Sequence, residues 1–262
     1  MRKPPSVTIG LYVGRYISGY CPMNVLGMAW ALSAAGMWGG SEGAGGMMIV
    51  SSCRVDSNRN YLIHDFLHNS TSDYLFIIDE DMRHAPETPV ILANRGLPVV
   101  SGLYFRRDTR GHHMPQFYSY KGQSADTRRG HGDAVNDYYE PMVPQVHQFF
   151  AELERPIPHV NTPLILGDSD TMTAIDSGLM RIDAGGFGCL MLSREALEKL
   201  DPPYLRDQPG LNGDLSFYKQ CREKGIEVWG DCSVIAAHNI DYQIGIGAFA
   251  DYTHNLVIGE LS

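Results

Sequence analysis

The apolar run Tyr74 to Ile78 ends in Asp79, Glu80 and Asp81. Two carboxylates one residue apart, just past the C-terminal end of a buried parallel strand, stand where open α/β sheets bind ligands. Hard oxygen donors of this kind suit Mg2+ or Mn2+, which also take diphosphate oxygens. A metal-binding or ribose-binding role is expected of the triplet, with capping of the next turn as the structural alternative. Asp168-Ser169-Asp170 has the same form but no apolar strand before it, and reads as a solvated loop. His64 and His68 have the i, i+4 spacing of a zinc-protease helix, but Asp65 replaces the glutamate which that chemistry requires. Leu62, Ile63, Phe66 and Leu67 form the apolar stripe of this helix and turn both histidines to another face. The glycines between Trp38 and Gly46 lack a following Lys-Ser or Lys-Thr, so they read as a connection and not as a phosphate loop. Arg106, Arg107, Arg110, His112 and His113 make a local basic cluster, read as solvated loop charge.

The elements that must position these groups follow from periodicity. Val7 to Val13 reads as a first strand, Pro22 to Gly36 as a helix, and Met47 to Cys53 as a second strand. A helix over Ser57 to Asn69, a strand over Tyr74 to Asp79 and a strand over Leu97 to Phe105 complete a βαβ alternation. That order predicts an α/β fold with a mostly parallel central sheet, covered by helices on both faces. From Arg106 to Met180 the pattern stops, and this stretch is expected to be an irregular acceptor-side or lid region within a single domain spanning 1–262. Regular structure resumes with a strand over Arg181 to Ser193 and a short helix from Glu195 to Leu200. A helix from Asp214 to Lys224 is closed by Gly225, and IEVWGD and SVIAAHN read as two short strands.

Composition bounds the partners. With 262 residues, 44% hydrophobic and 19% charged, the chain has the profile of a folded globular protein. A formal net charge of −9 repels a phosphate backbone and disfavours general nucleic-acid binding. It leaves room for a phosphorylated small ligand, since a bound divalent cation inverts the local field. No run is long and apolar enough to span a bilayer, and MRKPPSVTIGLYVG reads as a strand and not as a signal peptide. Five scattered cysteines with no CxxC pair read as buried thiols of a reducing compartment, so a cytoplasmic location is expected.

Taken in order, SSCRVDSNRNYLIHDFL, DYLFIIDEDM, LPVVSGLYF, DAGGFGCLMLSREALEKL and GDLSFYKQCREKGIEVWGD with the later His238 resemble the small GT-A-fold glycosyltransferases. The likeness covers most of the chain outside Arg106 to Met180. It implies a Rossmann-related sheet and transfer of a sugar from a nucleotide diphosphate sugar, UDP-linked by expectation, to an acceptor hydroxyl. By that resemblance Asp79 approaches the ribose, while Asp79, Asp81 and His238 form the site for Mn2+ or Mg2+. Arg59 and Asn60 match an Arg-Asn pair that holds the nucleotide, and Tyr12, Gly14 and Arg15 meet the base. Gly185, Gly186 and Gly188 let the chain pass close to the donor sugar. Asp214 is the expected catalytic base, because a hydroxyl attacking an anomeric carbon needs a carboxylate beside it, with a role as the N-cap or first-turn acid of its helix as the structural alternative. Relatives often have two acids there and this chain has Gly213 first, so a single base and inversion are expected. The rivals are a sugar nucleotidyltransferase, for which YVGRYISGY is a poor match, and an inactive sugar-nucleotide or glycan-binding module.

Overall fold

A computed structural model describes residues 3–13, 21–39, 46–51, 55–105, 114–122, 138–152, 164–165, 178–206, 211–239 and 243–244. The first third alternates as its apolar periods require: β1 (Val7–Val13), α1 (Cys21–Ala34), β2 (Met47–Ser51), α2 (Val55–Asn69) and β3 (Tyr74–Asp79). A two-residue strand β4 (Met82–Arg83), helix α3 (Thr88–Asn94) and β5 (Val99–Leu103) follow. Sequence reading missed α3, whose Val90 and Ile91 look strand-like. Pro89 in its first turn is the signal that marks it as a helix start.

The central sheet runs β2-β1-β3-β11-β5-β12-β8, with β9 also paired to β12. Its later strands are β8 (Leu164–Ile165), β9 (Leu179–Arg181), β11 (Cys189–Ser193) and β12 (Val228–Ile235). Strands β2, β1 and β3 are mutually parallel, and so are β5 and β12. Strand β11 runs antiparallel between β3 and β5, with Leu190 opposite Ile77 on one side and Ser101 on the other. The mixed α/β architecture with a mostly parallel sheet therefore stands, with β11 reversed at its centre and the short β8 and β9 reversed beside β12. An apolar run buried on both faces carries no mark of its direction, so the reversal was not legible.

Each face of the sheet is covered. Leu62, Ile63 and Phe66 of α2 pack over Leu75 and Ile77 on one side. Val25, Met28 and Leu32 of α1 and Leu92 of α3 pack over Ile9, Phe76 and Ile78 on the other. The alternation of β3 residues between the two clusters is the period-2 geometry of a strand. His64 and His68 lie on the outer face of α2, both exposed, with ring centroids 4.0 Å apart. The expected turn of these histidines away from the core is what α2 displays.

The stretch read as irregular holds regular elements in its described parts: β6 (Phe117–Tyr120), β7 (Tyr139–Pro141) and α4 (Val143–Glu152). Phe117, Tyr139, Val146, Phe149 and Phe150 join the larger core cluster, so this region helps build the core. Val146, Phe149 and Phe150 have helical spacing, a signal overshadowed by the surrounding Gly, His and Arg residues. The strand predicted over Arg181 to Ser193 is instead split between β9, β10 (Ala184–Gly185) and β11, and β10 joins β6 and β7 in a separate sheet.

Two short helices complete the fold. Helix α5 (Arg194–Leu197) is capped by the Ser193 hydroxyl, which accepts from the Ala196 amide. Its Arg194 guanidinium lies 4.5 Å over the Phe66 ring and donates to the carbonyls of Phe66, Leu67, Ser70 and Ser72. One side chain thus satisfies backbone acceptors left over at the end of α2. Helix α6 (Gly213–Glu223) ends at Gly225 (φ 65°), where the Ile226 amide reaches the Cys221 carbonyl and the Gly225 amide that of Arg222. This is a Schellman closure. Two strands stand near the end as expected, but the break falls later: β12 runs through Cys232 to Ile235, bulged between Asp231 and Ile235, and β13 (Ala237–Asn239) takes up only the end of SVIAAHN. Asp231 is 0% exposed, and Arg95 bonds it at 2.8 Å, so the strand continues through a buried charge. Strand β13 lies between β4 and β14 (Gln243–Ile244).

Candidate functional site

Strands β1 and β3 run side by side with Tyr12 opposite Asp79, so both end at one edge of the sheet. There the chain turns through Glu80 and Asp81 into β4. Burial, and then the charges of Glu80 and Asp79, raise the Tyr12 phenol above its ordinary pKa. Strand β13 pairs with β4, placing His238 opposite Met82 and Ala237 opposite Arg83. That short ladder brings His238 to the strand that follows Asp81, although the two are far apart in sequence. The Asn24 amide of α1 holds the same strand, donating to the Met82 carbonyl at 2.9 Å and accepting from the His84 amide at 3.2 Å.

His238 is buried, and its Nδ1 lies 2.6 Å from the Phe105 carbonyl. A carbonyl only accepts, so Nδ1 carries a proton, and in the neutral imidazole the lone pair is then on Nε2. This is the orientation a metal-binding imidazole needs. Among the described residues no three His, Cys, Asp or Glu side chains are gathered to hold a metal by themselves. A Mg2+-like ion that takes most of its shell from phosphates and water needs only one or two protein ligands.

Arg59 of α2 occupies the centre of the site, with its side chain 5% exposed. Its Nη2 donates at 3.0 Å to both oxygens of Asp79, its Nη1 donates to Asp214, and its guanidinium lies 4.7 Å over the Phe187 ring. Burial opposes the charge, but Asp214 and Asp79 outweigh it and raise the Arg59 pKa further. Asn60 donates to the Leu205 carbonyl at 2.8 Å and accepts from the Leu205 amide at 3.0 Å. The Arg-Asn pair expected to hold a nucleotide is thus turned inward, the arginine to two carboxylates and the asparagine to a loop. Paired buried charges look the same in sequence as ligand-binding ones, which is why the partners were not legible.

Asp214 lies in the first turn of α6 with its side chain 33% exposed. The cap of that helix is Asn212, whose Oδ1 accepts from the Leu215 amide at 2.9 Å. Asp214 is therefore relieved of the capping role that sequence alone left open. The helix N-terminus also favours its ionised form.

Gly185, Gly186 and Gly188 approach the protein's own side chains. A Cβ on Gly186 would lie 1.7 Å from the Tyr104 hydroxyl oxygen, and one on Gly185 would lie 3.2 Å from the Ser101 Cβ. The Tyr104 hydroxyl accepts from the Gly188 amide at 3.0 Å, and its ring meets His238 edge-on at 5.2 Å. Tyr104 and His84 were missed by sequence reasoning. His84 stands three positions after Asp81 and Tyr104 one position after β5, and those places were the available signals. Gly14 and Arg15, expected at the base, lie outside the described residues.

His84 is buried, donates from Nε2 to the Gly188 carbonyl at 2.9 Å, and leaves Nδ1 without a partner. Burial lowers its pKa from 6.5 to about 4, against the opposing pull of the Gly188 carbonyl. The unfolded chain therefore binds a proton near pH 6.5 that the folded chain refuses until about pH 4. The stabilisation is complete above the unfolded pKa and is lost as pH falls toward the folded one. Urea unfolding at pH 7 and at pH 4.5 should show a loss of about 2 kcal/mol from this group. His84→Gln, which retains a donor for Gly188 and does not titrate, should lack that component. Equal pH slopes in the two proteins would assign the loss to other groups.

No family model and no curated protein matches the chain. Solved structures similar to it include A197 from STIV, at a TM-score of 0.45 and 16% identity, covering 91% of this chain and 94% of that one. GalNAc-T7 with UDP, GalNAc and Mn2+ has a TM-score of 0.44 and 12% identity over 90% of this chain, which spans 44% of that one. CMP:2-keto-3-deoxy-manno-octonic acid synthetase complexed with CTP has a TM-score of 0.42 and 12% identity, covering 97% of this chain and 99% of that one. All three likenesses are weak. Among the described residues no helix is long and apolar enough to cross a membrane.

Proposed function

We propose that this chain is a glycosyltransferase that moves a sugar from a nucleotide diphosphate sugar to an acceptor hydroxyl, with inversion. The observation that carries the reading is the β4–β13 ladder, which brings His238 to the strand after Asp79 and Asp81, at the sheet edge where β1 and β3 end. Crevices at the carboxyl ends of parallel strands are where α/β folds hold ligands. Asp81 and His238 would hold Mn2+ or Mg2+, and such an ion stabilises the charge of a departing diphosphate. Asp79 would face the ribose. The acceptor oxygen attacks the anomeric carbon as the bond to the diphosphate oxygen breaks, and Asp214 takes the hydroxyl proton. Its exposure leaves the carboxylate open to an incoming hydroxyl. Arg59 keeps it ionised before reaction.

A panel of nucleotide sugars, each tested by thermal shift with and without Mn2+ and then for turnover, tests this reading. A UDP-sugar should raise the melting temperature by about 3 °C or more in the presence of Mn2+, and its sugar should reach an acceptor. A shift with nucleoside triphosphates and release of pyrophosphate would replace the reading with nucleotidyl transfer. Binding without turnover across acceptors would make the chain a binding module.

A further inference from the structure

We propose that Arg59 is a positioning residue that clamps the donor-side carboxylate, Asp79, to the acceptor-side carboxylate, Asp214. In this role it does not bind the nucleotide phosphates. The proposal rests on the transferase reading of the site for what the two carboxylates do, and on geometry alone for the clamp. Arg59 comes from α2, Asp79 from the end of β3 and Asp214 from α6. These elements meet through this one guanidinium, which donates to both oxygens of Asp79 and to Asp214.

The surroundings exclude an outward-facing role. An arginine that binds phosphate presents its fork of N–H groups to the ligand. Here the side chain is 5% exposed, lies on the Phe187 ring, and has its Nε buried without a partner. The two carboxylates it joins would repel one another if it were removed, and both are only partly open to water. Asn60, the next residue, is bonded to Leu205 through both polar atoms of its amide, so α2 is tied to that loop immediately beside the clamp. The fork therefore sets the distance between the group that meets the donor and the group that meets the acceptor. Reaction geometry of this kind is worth orders of magnitude in rate.

Lysine is the discriminating substitution, since a single ammonium keeps the charge but cannot reach both carboxylates with a planar fork. Arg59→Lys should lower kcat by roughly tenfold or more with the donor KM changed by less than about threefold. In an Asp214→Asn background the same change should cost little further rate, because the two residues act as one unit. A rise of about tenfold in UDP dissociation constant with kcat preserved would overturn the clamp and restore a phosphate role. A second cycle needs no substrate: Arg59→Met, Asp214→Ala and the double variant are compared by thermal unfolding. The double variant should lose less melting temperature than the two singles together, whereas additive losses would overturn the clamp. A native protein that turns over no nucleotide sugar would sink the transferase reading, and the unfolding cycle would still decide the clamp.

Discussion

Asp214→Asn should lower kcat roughly a hundredfold or more, with the melting temperature within a few degrees of the native protein. The separation of the two readouts follows from Asn212. Because that residue supplies the cap of α6, an amide at 214 leaves the cap in place. An asparagine oxygen can still accept from Arg59, so the tie to α2 is weakened but kept. What is lost is basicity, the property needed to take a proton from an acceptor hydroxyl. Steady-state kinetics with saturating donor and Mn2+ provide the check, with donor affinity measured separately. If Asp214→Asn turns over near the native rate and only Asp214→Ala is impaired, Asp214 is structural and the base lies elsewhere, with Glu80 the next carboxylate to test.

Gly186→Ala is expected to destabilise the fold by about 3 kcal/mol. The new Cβ would lie 1.7 Å from the Tyr104 hydroxyl oxygen and 2.5 Å from its Cζ. Tyr104 has nowhere to retreat: its hydroxyl accepts from Gly188 and its ring lies against His238. Gly185→Ala is the matched control, since its Cβ would meet Ser101 at 3.2 Å and requires a smaller adjustment. Adding Tyr104→Phe to Gly186→Ala removes the closest contact and should recover part of the loss. Urea denaturation of the four proteins measures these differences. A Gly186→Ala protein as stable as the native one would mean that the Tyr104 ring packs elsewhere.

Both predictions rest on partners that sequence did not disclose. The acids at the end of β3 were legible because a run such as YLFII can only be a buried strand, and charge at its end marks where it meets water. Asp214 was legible as a residue opening a helix, but sequence left it as a candidate cap, and only the position of Asn212, with its side chain on Leu215, takes that role from it. Arg59 shows the limit most clearly. An arginine in the first turns of a helix reads as polar surface or as a ligand for anions, and only the third dimension brings Asp79 and Asp214 to it. The same limit hid the Arg95–Asp231 pair, whose carboxylate is buried within β12. The glycines announced a close approach, as glycines do. They gave no sign that the approaching groups would be Tyr104 and Ser101.

The reversed strand β11 also orders events in time. Ribosomal synthesis releases β1, β2, β3 and β5 before it, yet neither β3 nor β5 pairs with the other, since β11 separates them. Until residues 189–193 emerge, one side of β3 and both sides of β5 present bare backbone along apolar runs. Such edges invite pairing with other chains. A nascent or refolding molecule must therefore keep a half-finished sheet from its neighbours until a strand from far along the chain arrives to close the gap. Asp214 and His238 come later still. The residues proposed as base and metal ligand are thus placed after most of the sheet, and pairings of such long range make their placement slow.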